Sequence, residues 1–271
     1  MKPFRIIVLI AFVFVSIASA SVFISEKISI DRTIPQITVE EEMMEVSLKA
    51  TDEELLKGVT AYDEKDKDLT GKIIIESISG FTEKGVSKVT YAVCDSDNNV
   101  AKATRKIRFK GYQSPRFKVT GNLCFSLYEY IDLKEIISAH DSIEGNITGK
   151  IIITSDDYSG SNAGAYSIDV SVTNNKGDTS TIQLPLIVED RPISVPTIEL
   201  TEYLVYTQKG TSIDFNAYLV DALQGETSLK NKVTVESNVN FNEPGTYHVH
   251  YYVTDTDDLR GHSVLTVIVE E

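Results

Sequence analysis

Three groups of side chains have the types and spacing to do chemistry. The first is acidic: Asp63, Asp66 and Asp68 fall within six residues, and clustered carboxylates in an extracellular module offer the oxygen ligands that calcium takes. Asp95-Ser96-Asp97-Asn98-Asn99 begins like a calcium loop, yet Val100 stands where such a loop needs glycine and Lys106 where it needs a bidentate glutamate. A solvated turn rich in turn formers accounts for both stretches and is the plainer reading. Calcium is therefore the one cofactor with candidate ligands, and the expectation is that none is required. The second group is His248 and His250, two apart on one strand face, with His262 in the neighbouring strand. Two histidines so spaced can touch a metal, but spacing fixes no third ligand, and solvent-facing histidines are expected. The third is a stripe of Lys102, Lys106, Arg108 and Lys110. It suits contact with cell-wall polyanions, but lysines on an exposed edge strand also block edge-to-edge pairing, and that reading is preferred.

Nucleophilic or hydrolytic chemistry has no foothold. Ser, His and Asp are all present, but without a Gly-x-Ser-x-Gly turn, a His-Glu-x-x-His helix, a phosphate loop or a spaced carboxylate pair. A non-enzymatic protein is expected. Residues 33–271 carry 22 basic and 38 acidic residues. That surface is soluble and repels polyanions, so no nucleic-acid partner is expected.

The elements that position these residues come from a repeat. Tyr247, Val249, Tyr251 and Val253 alternate with polar residues between Gly245 and Asp255, the pattern of a strand with one face in a core. Gly164 to Asn174, with Tyr166, Ile168, Val170 and Val172 in phase, repeats it. So does Gly85 to Asp95, with Val89, Tyr91 and Val93 in phase. The glycines lie 79 and 81 residues apart, and Lys72, Lys150 and Lys232 each open an aliphatic strand 13 or 14 residues earlier. Two landmarks in constant register three times over define a tandem array of one β module. The expected domains are 33–111, 115–190 and 196–271, joined by short proline-bearing linkers, Gly111–Pro115 and Glu189–Pro196. Cys94 and Cys124 are expected to be free thiols, because their places in the repeat put them at far ends of neighbouring modules.

Residues 1–25 are set apart from the array. Lys2 and Arg5 precede an apolar run from Ile6 to Ile24, and Ala18-Ser19-Ala20 fits the small-x-small rule for signal peptidase. The run of about 19 residues is also long enough to span a bilayer if uncleaved. Both readings stay open, a cleaved signal peptide or an N-terminal membrane anchor, and either puts the array outside the cytoplasm. No apolar tail follows Val269, so any attachment is expected to fall to the N-terminal segment.

The order within a unit is distinctive. An aspartate turn (Asp63, Asp141) leads to Leu69-Thr70 or Ile147-Thr148 and an isoleucine strand. Gly-x-Tyr (Gly164-Ala165-Tyr166, Gly245-Thr246-Tyr247) and Val-Thr-Asp (Val253-Thr254-Asp255) follow. This resembles the bacterial Ig-like repeats of surface proteins, including those named after a pesticidal crystal protein, over residues 33–271. Unit one departs with Ser87 at the tyrosine position, and unit three replaces the acidic turn with Asp221-Ala222-Leu223-Gln224-Gly225. The resemblance implies an all-β fold of three tandem Ig-like sandwiches and a role in display or spacing outside a cell. The modules would be anchored by Gly85, Tyr91, Asp95, Gly164, Tyr166, Gly245, Tyr247, Tyr251 and Asp255. Three modules end to end would reach on the order of 100 Å. Expected partners are the membrane, if the N-terminal segment is uncleaved, and a cell-wall or host glycan or protein. The alternative is a glycan- or cell-wall-binding accessory protein, suggested by Tyr158, Tyr206, Tyr251 and Tyr252.

Overall fold

The computed structural model describes residues 2–29, 32–127, 129–154 and 162–271. The chain forms two compact units, residues 1–111 and 112–271. The first begins with helix α1 (Lys2–Ser29), whose apolar side chains between Val8 and Val22 are exposed. Among the described residues no helix is long and apolar enough to cross a membrane, so the spanning reading of this run is not supported.

The rest of the first unit is a two-layer sandwich. One layer holds β1 (Gln36–Val39), β3 (Val59–Asp63) and β4 (Lys67–Asp68); the other holds β2 (Met43–Val46), β7 (Val100–Phe109), β6 (Val86–Cys94) and β5 (Ile74–Glu83), in that order. Between β2 and β3 lies one helical turn, α2 (Asp52–Leu56). Thr51 accepts from Glu54 N and the Glu54 carboxylate accepts from Thr51 N, a capping box that fixes the start of α2. The two-residue alternation buries Val86, Val89, Tyr91 and Val93. Arg105 occupies the inward phase of β7 and is only 3% exposed. Its guanidinium donates to Tyr91 Oη and to the carbonyls of Leu55 and Lys57. A buried cation is tolerated when its donors are satisfied in this way.

The second unit contains two further sandwiches of the same plan. Residues 116–189 contribute a layer of β8 (Arg116–Val119), β10 (Ile137–Asp141) and β11 (Gly145–Asn146). Against it lies a layer of β9 (Cys124–Ser126), β12 (Ile152–Thr154), β13 (Gly164–Thr173) and β14 (Thr179–Glu189), with the single turn α3 (Leu133–Ile136) before β10. Residues 197–270 contribute β15 (Thr197–Leu200), β17 (Leu219–Gln224) and β18 (Thr227–Ser228). These face β16 (Leu204–Gln208), β19 (Thr234–Ser237), β20 (Gly245–Thr254) and β21 (Arg260–Glu270). In every module a short strand runs parallel to the last one: β2 to β7, β9 to β14, β16 to β21. Pro185 lies before the β9 pairing begins at Ile187, so its missing N–H costs no ladder bond there.

The parallel pairing corrects one expectation. β7 is not an edge strand in its second half, because Met43–Val46 pairs with Lys106–Phe109. Two lysines of the stripe are engaged instead, Lys102 with Glu76 and Lys106 with Glu83. Alternation along one strand carries no information about a partner sixty residues away.

The modules of the second unit lie side by side. Their apolar residues form one continuous core from Phe117 to Val269, and polar contacts run the length of β21. Asn122 meets His262 O and Val264 N, Tyr203 N donates to Val119 O, and Arg116 pairs with Glu270 at 2.6 Å. Within this unit the modules are not placed end to end.

The repeat anchors divide by cause. Gly85 has φ of +72°, a region L side chains avoid, whereas a Cβ on Gly164 would press on the Tyr166 ring at 3.1 Å and one on Gly245 would make ordinary contact with the Tyr247 ring. Those tyrosines donate to Asn162 O and Glu243 O. Tyr91 and Tyr251 are fully buried and donate at 2.7 Å to Leu55 O and Phe215 O, tying the long strand to the short turn above it. Tyr251→Ala is expected to cost about 3–5 kcal/mol, as for other large core truncations. Tyr251→Phe, which loses only the hydroxyl, is expected to cost about 1 kcal/mol. Chemical denaturation of the two variants checks the difference.

Candidate functional site

The acidic residues converge where two loops of the first module meet. Asp63 ends β3 and is 3% exposed; its Oδ1 accepts from Lys65 N and Asp66 N, both at 2.9 Å. Its Oδ2 is buried and has no hydrogen-bond partner among the described residues. Asp95 follows β6 and is 7% exposed. Its Oδ1 accepts from Asp97 N and Asn99 N, and its Oδ2 from Asn99 Nδ2. Asp66 joins the loops, its Oδ2 accepting from Ser96 N at 2.8 Å. Ligand oxygens of Asp63, Asp66 and Asp95 all lie within 4.8 Å of one another. Hydrogen bonds from Ser96 hold the Asp66 carboxyl below its ordinary pKa. Burial opposes ionisation of Asp95, but the hydrogen bonds from Asn99 and from the Asp97 amide outweigh it, so its pKa too is lowered.

Asp68, the third residue of the expected calcium set, is not in this group. It is exposed and accepts from Thr70 N, ordering the turn into the next strand. Asp95 takes its place, through a loop pairing that sequence spacing does not show.

A second polar cluster sits between the modules of the second unit. His250 Nδ1 and His262 Nε2 are 3.0 Å apart, and His262 Nδ1 is 2.8 Å from Glu189 Oε1. His262 is thus held between the Glu189 carboxylate and the His250 ring. Tyr252 stacks on His262 with ring centroids 4.4 Å apart, and the Arg260 guanidinium lies over the tyrosine ring at 3.8 Å. Arg191 Nε lies 3.0 Å from Glu189 Oε2 without hydrogen-bond alignment, while its Nη1 donates to Arg260 O. His262 is 5% exposed and the other two histidines are half-buried, correcting the expectation of a solvent-facing set. The lateral packing of the modules covers that face. The segment after β14 is pinned by the same contacts, with Ser126 Oγ donating to Pro192 O and Val195 buried.

Beside this cluster opens a cleft of about 610 Å³ whose wall includes Phe125, Glu129, Tyr130, Arg191, Tyr203 and His262. Tyr130 is 85% exposed. The aromatic residues singled out from sequence lie elsewhere. Tyr251 is buried, the Tyr206 oxygen accepts from Phe117 N at 3.1 Å, and Tyr252 is stacked within the cluster. 

Tyr158 lies outside the described residues. Cys94 is exposed and Cys124 buried, both as free thiols.

Comparison with known proteins fits this architecture. Residues 202–269 match the family described as bacterial surface protein, Ig-like domain. That match falls within the module formed by residues 197–270. The pesticidal crystal protein Cry22Aa of Bacillus thuringiensis is 28% identical over 205 residues, which cover 73% of this chain and 28% of the relative. An uncharacterized 81.3 kDa protein of Acholeplasma phage L2 is 30% identical over 139 residues, 49% of this chain and 18% of the relative. The chain thus spans less than a third of the length of these relatives. Among solved structures, the CBM51-2 and INT domains of Clostridium perfringens ZmpB, in complex with GlcNAc, align at TM-score 0.23 and 20% identity. That alignment covers 55% of this chain and 26% of the other. Drosophila N-cadherin EC1-4 aligns at 0.25 and 11%, covering 88% and 76%.

The inter-module cluster makes the second unit acid-sensitive. Burial lowers the pKa of His248, and burial, with repulsion from His262 and His248, lowers that of His250, against weaker opposing pulls from Glu236 and Glu189. Glu189 is also lowered: burial opposes its charge, and His262, Arg191 and Arg260 outweigh burial. A histidine with a depressed folded pKa takes up its proton more readily once unfolded. Its stabilisation is therefore whole above its ordinary value of 6.5 and is lost as the pH falls through its folded pKa. Glu189 contributes a further loss below its ordinary 4.5. The melting temperature of the second unit is expected to stay level above about pH 6.5 and to fall below it, with a shallower fall in His250→Gln. Calorimetric scans across that range check this.

Proposed function

We propose that this chain is a non-enzymatic extracellular module of a bacterial surface, and that it displays a binding face. The observation that carries the reading is the lateral union of the modules at 115–190 and 196–271. One continuous core and a polar cluster hold them as a broad body, which suits presentation of a surface better than extension of a stalk. The family match over residues 202–269 supports the surface setting. In this reading the module at 33–111 is a separate domain, and the N-terminal apolar segment directs export, with cleavage after Ala20. The mass of the mature N-terminus tests export and cleavage together. Protease treatment of intact cells tests the location: degradation only after lysis would refute it.

A second reading rests on the cleft beside the histidine cluster. The exposed ring of Tyr130 stands beside the carboxylates of Glu129, Asp132 and Glu135 along its wall. An aromatic face flanked by hydrogen-bond acceptors is the chemistry that holds a sugar ring. If a glycan is the ligand, Tyr130→Ala is expected to weaken its retention on a glycan array by about tenfold or more, in line with the loss of an aromatic anchor. Binding unchanged by that substitution would place any glycan elsewhere.

Limited proteolysis checks the domain reading. The segment Glu189–Pro196 is expected to resist cleavage in the folded chain, because its contacts pin it to both flanking modules. Rapid cutting there, with release of a folded fragment starting near residue 196, would contradict the lateral union.

A further inference from the structure

The three modules treat one buried polar position in three ways, and the first alone gathers three carboxylates there among the described residues. Shared backbone contacts align the positions. Leu69 N, Ile147 N and Leu229 N donate to Ala61 O, Ala139 O and Ala222 O. Asp63 therefore corresponds to Asp141 and Gln224. Asp95 N, Asn174 N and Asp255 N each accept the return of the hairpin by donating to the carbonyl four residues on, at Asn99, Asp178 and Leu259. Asp95 thus corresponds to Asn174 and Asp255.

In the second module Asp141 is fully buried, its Oδ1 accepting from Ile143 N and Glu144 N, as Asp63 Oδ1 accepts from Lys65 N and Asp66 N. Its Oδ2 is satisfied by Asn174 Nδ2 at 2.9 Å. Glu144 takes the place of Asp66, accepting from Asn175 N as Asp66 accepts from Ser96 N. The decisive difference is one atom type. Where Asn174 offers an N–H, Asp95 offers a second carboxylate oxygen, and Asp63 Oδ2 is left buried without a hydrogen-bond partner among the described residues. In the third module, Asp255 Oδ2 also lacks a partner, but Gln224 replaces the facing carboxylate, so that position presents one acid and not three. Among the described residues, Asp63, Asp66 and Asp95 are the one group of three such side chains gathered within ligand distance.

Buried like charges at this spacing repel, and an unsatisfied carboxylate oxygen is costly unless a cation or a proton compensates it. Three carboxylates with convergent oxygens, on loops already braced by backbone N–H groups, suit a hard divalent cation. We propose that Asp63, Asp66 and Asp95 bind one calcium-class ion, which does in the first module what the Asn174 amide does in the second. The ion would join the loop after β3 to the loop after β6, so it would brace that end of the sandwich.

Titration calorimetry of the full chain with calcium chloride, in buffer of constant ionic strength, tests the proposal. Saturable binding of one ion per chain is expected below about 10 mM, beyond the weak end of the range for extracellular modules. Asp66→Asn, at a half-exposed position, is expected to weaken binding about tenfold by removing one ligand charge. Asp95→Asn, which installs the amide of the second module, is expected to abolish binding. It should also slow hydrogen exchange in residues 63–68 and 95–99 in EDTA, the effect expected of calcium in the unsubstituted chain. Absence of saturable binding would overturn the proposal, leaving a shared proton as the compensation. Binding of equal strength in Asp95→Asn would overturn it too, because the ion would then lie elsewhere.

Discussion

The side chain that closes each central hairpin governs the rest of the module. Asp95, Asn174 and Asp255 each accept, through one side-chain oxygen, the N–H groups two and four residues ahead. This interaction fixes the tight return between the two strands of the central hairpin and thereby their register over about ten residue pairs. Register then decides which alternate residues enter the core, and the core decides where the turns above it can sit. A slip of one residue would exchange every buried and exposed side chain of the pair. The residue one place before the return adopts a positive φ, at Asn98, Gly177 and Asp258, so the whole loop is specified by its own local chemistry.

Much of this was legible in the sequence, because it is local. The spacing of glycine and closing residue, the alternation along β6, β13 and β20, and the inward placement of Tyr91 and Tyr251 all follow from a period of two. What escaped was set by contacts distant in sequence. The parallel partner of β7, thirty or more residues before the hairpin it joins, turned an expected edge into an interior strand. Asp95 replaced Asp68 in the acidic group because two loops meet, whatever their separation along the chain. Arg105 sits at an inward position that Leu184 and Leu265 fill in the other modules. A charge in an apolar phase was the available signal of its buried role. The histidines read as solvated because the sequence does not announce that a second module covers them.

The modules share a scaffold but differ where polar groups are buried. Arg105 satisfies carbonyls around α2 in the first; Asn174 neutralises a carboxylate in the second; His262 and Glu189 join the second to the third. Each solution holds a position that hydrophobic packing alone leaves without orientation. The apolar core is interchangeable among repeats, whereas these polar contacts are particular to their places.

The pairing of Arg116 with Glu270 carries a mechanical consequence. It brings the first strand of the second unit against the end of its last strand, with 2.6 Å between the charged atoms. Tension applied between residues 116 and 270 would meet that ion pair before it reached either sandwich. Two whole modules are folded into a loop whose ends touch, adding girth to that unit and almost nothing to the distance between those two points. Under load they would ride as passengers beside the line of force until the pair gave way. Their unfolding would then release slack in one large increment.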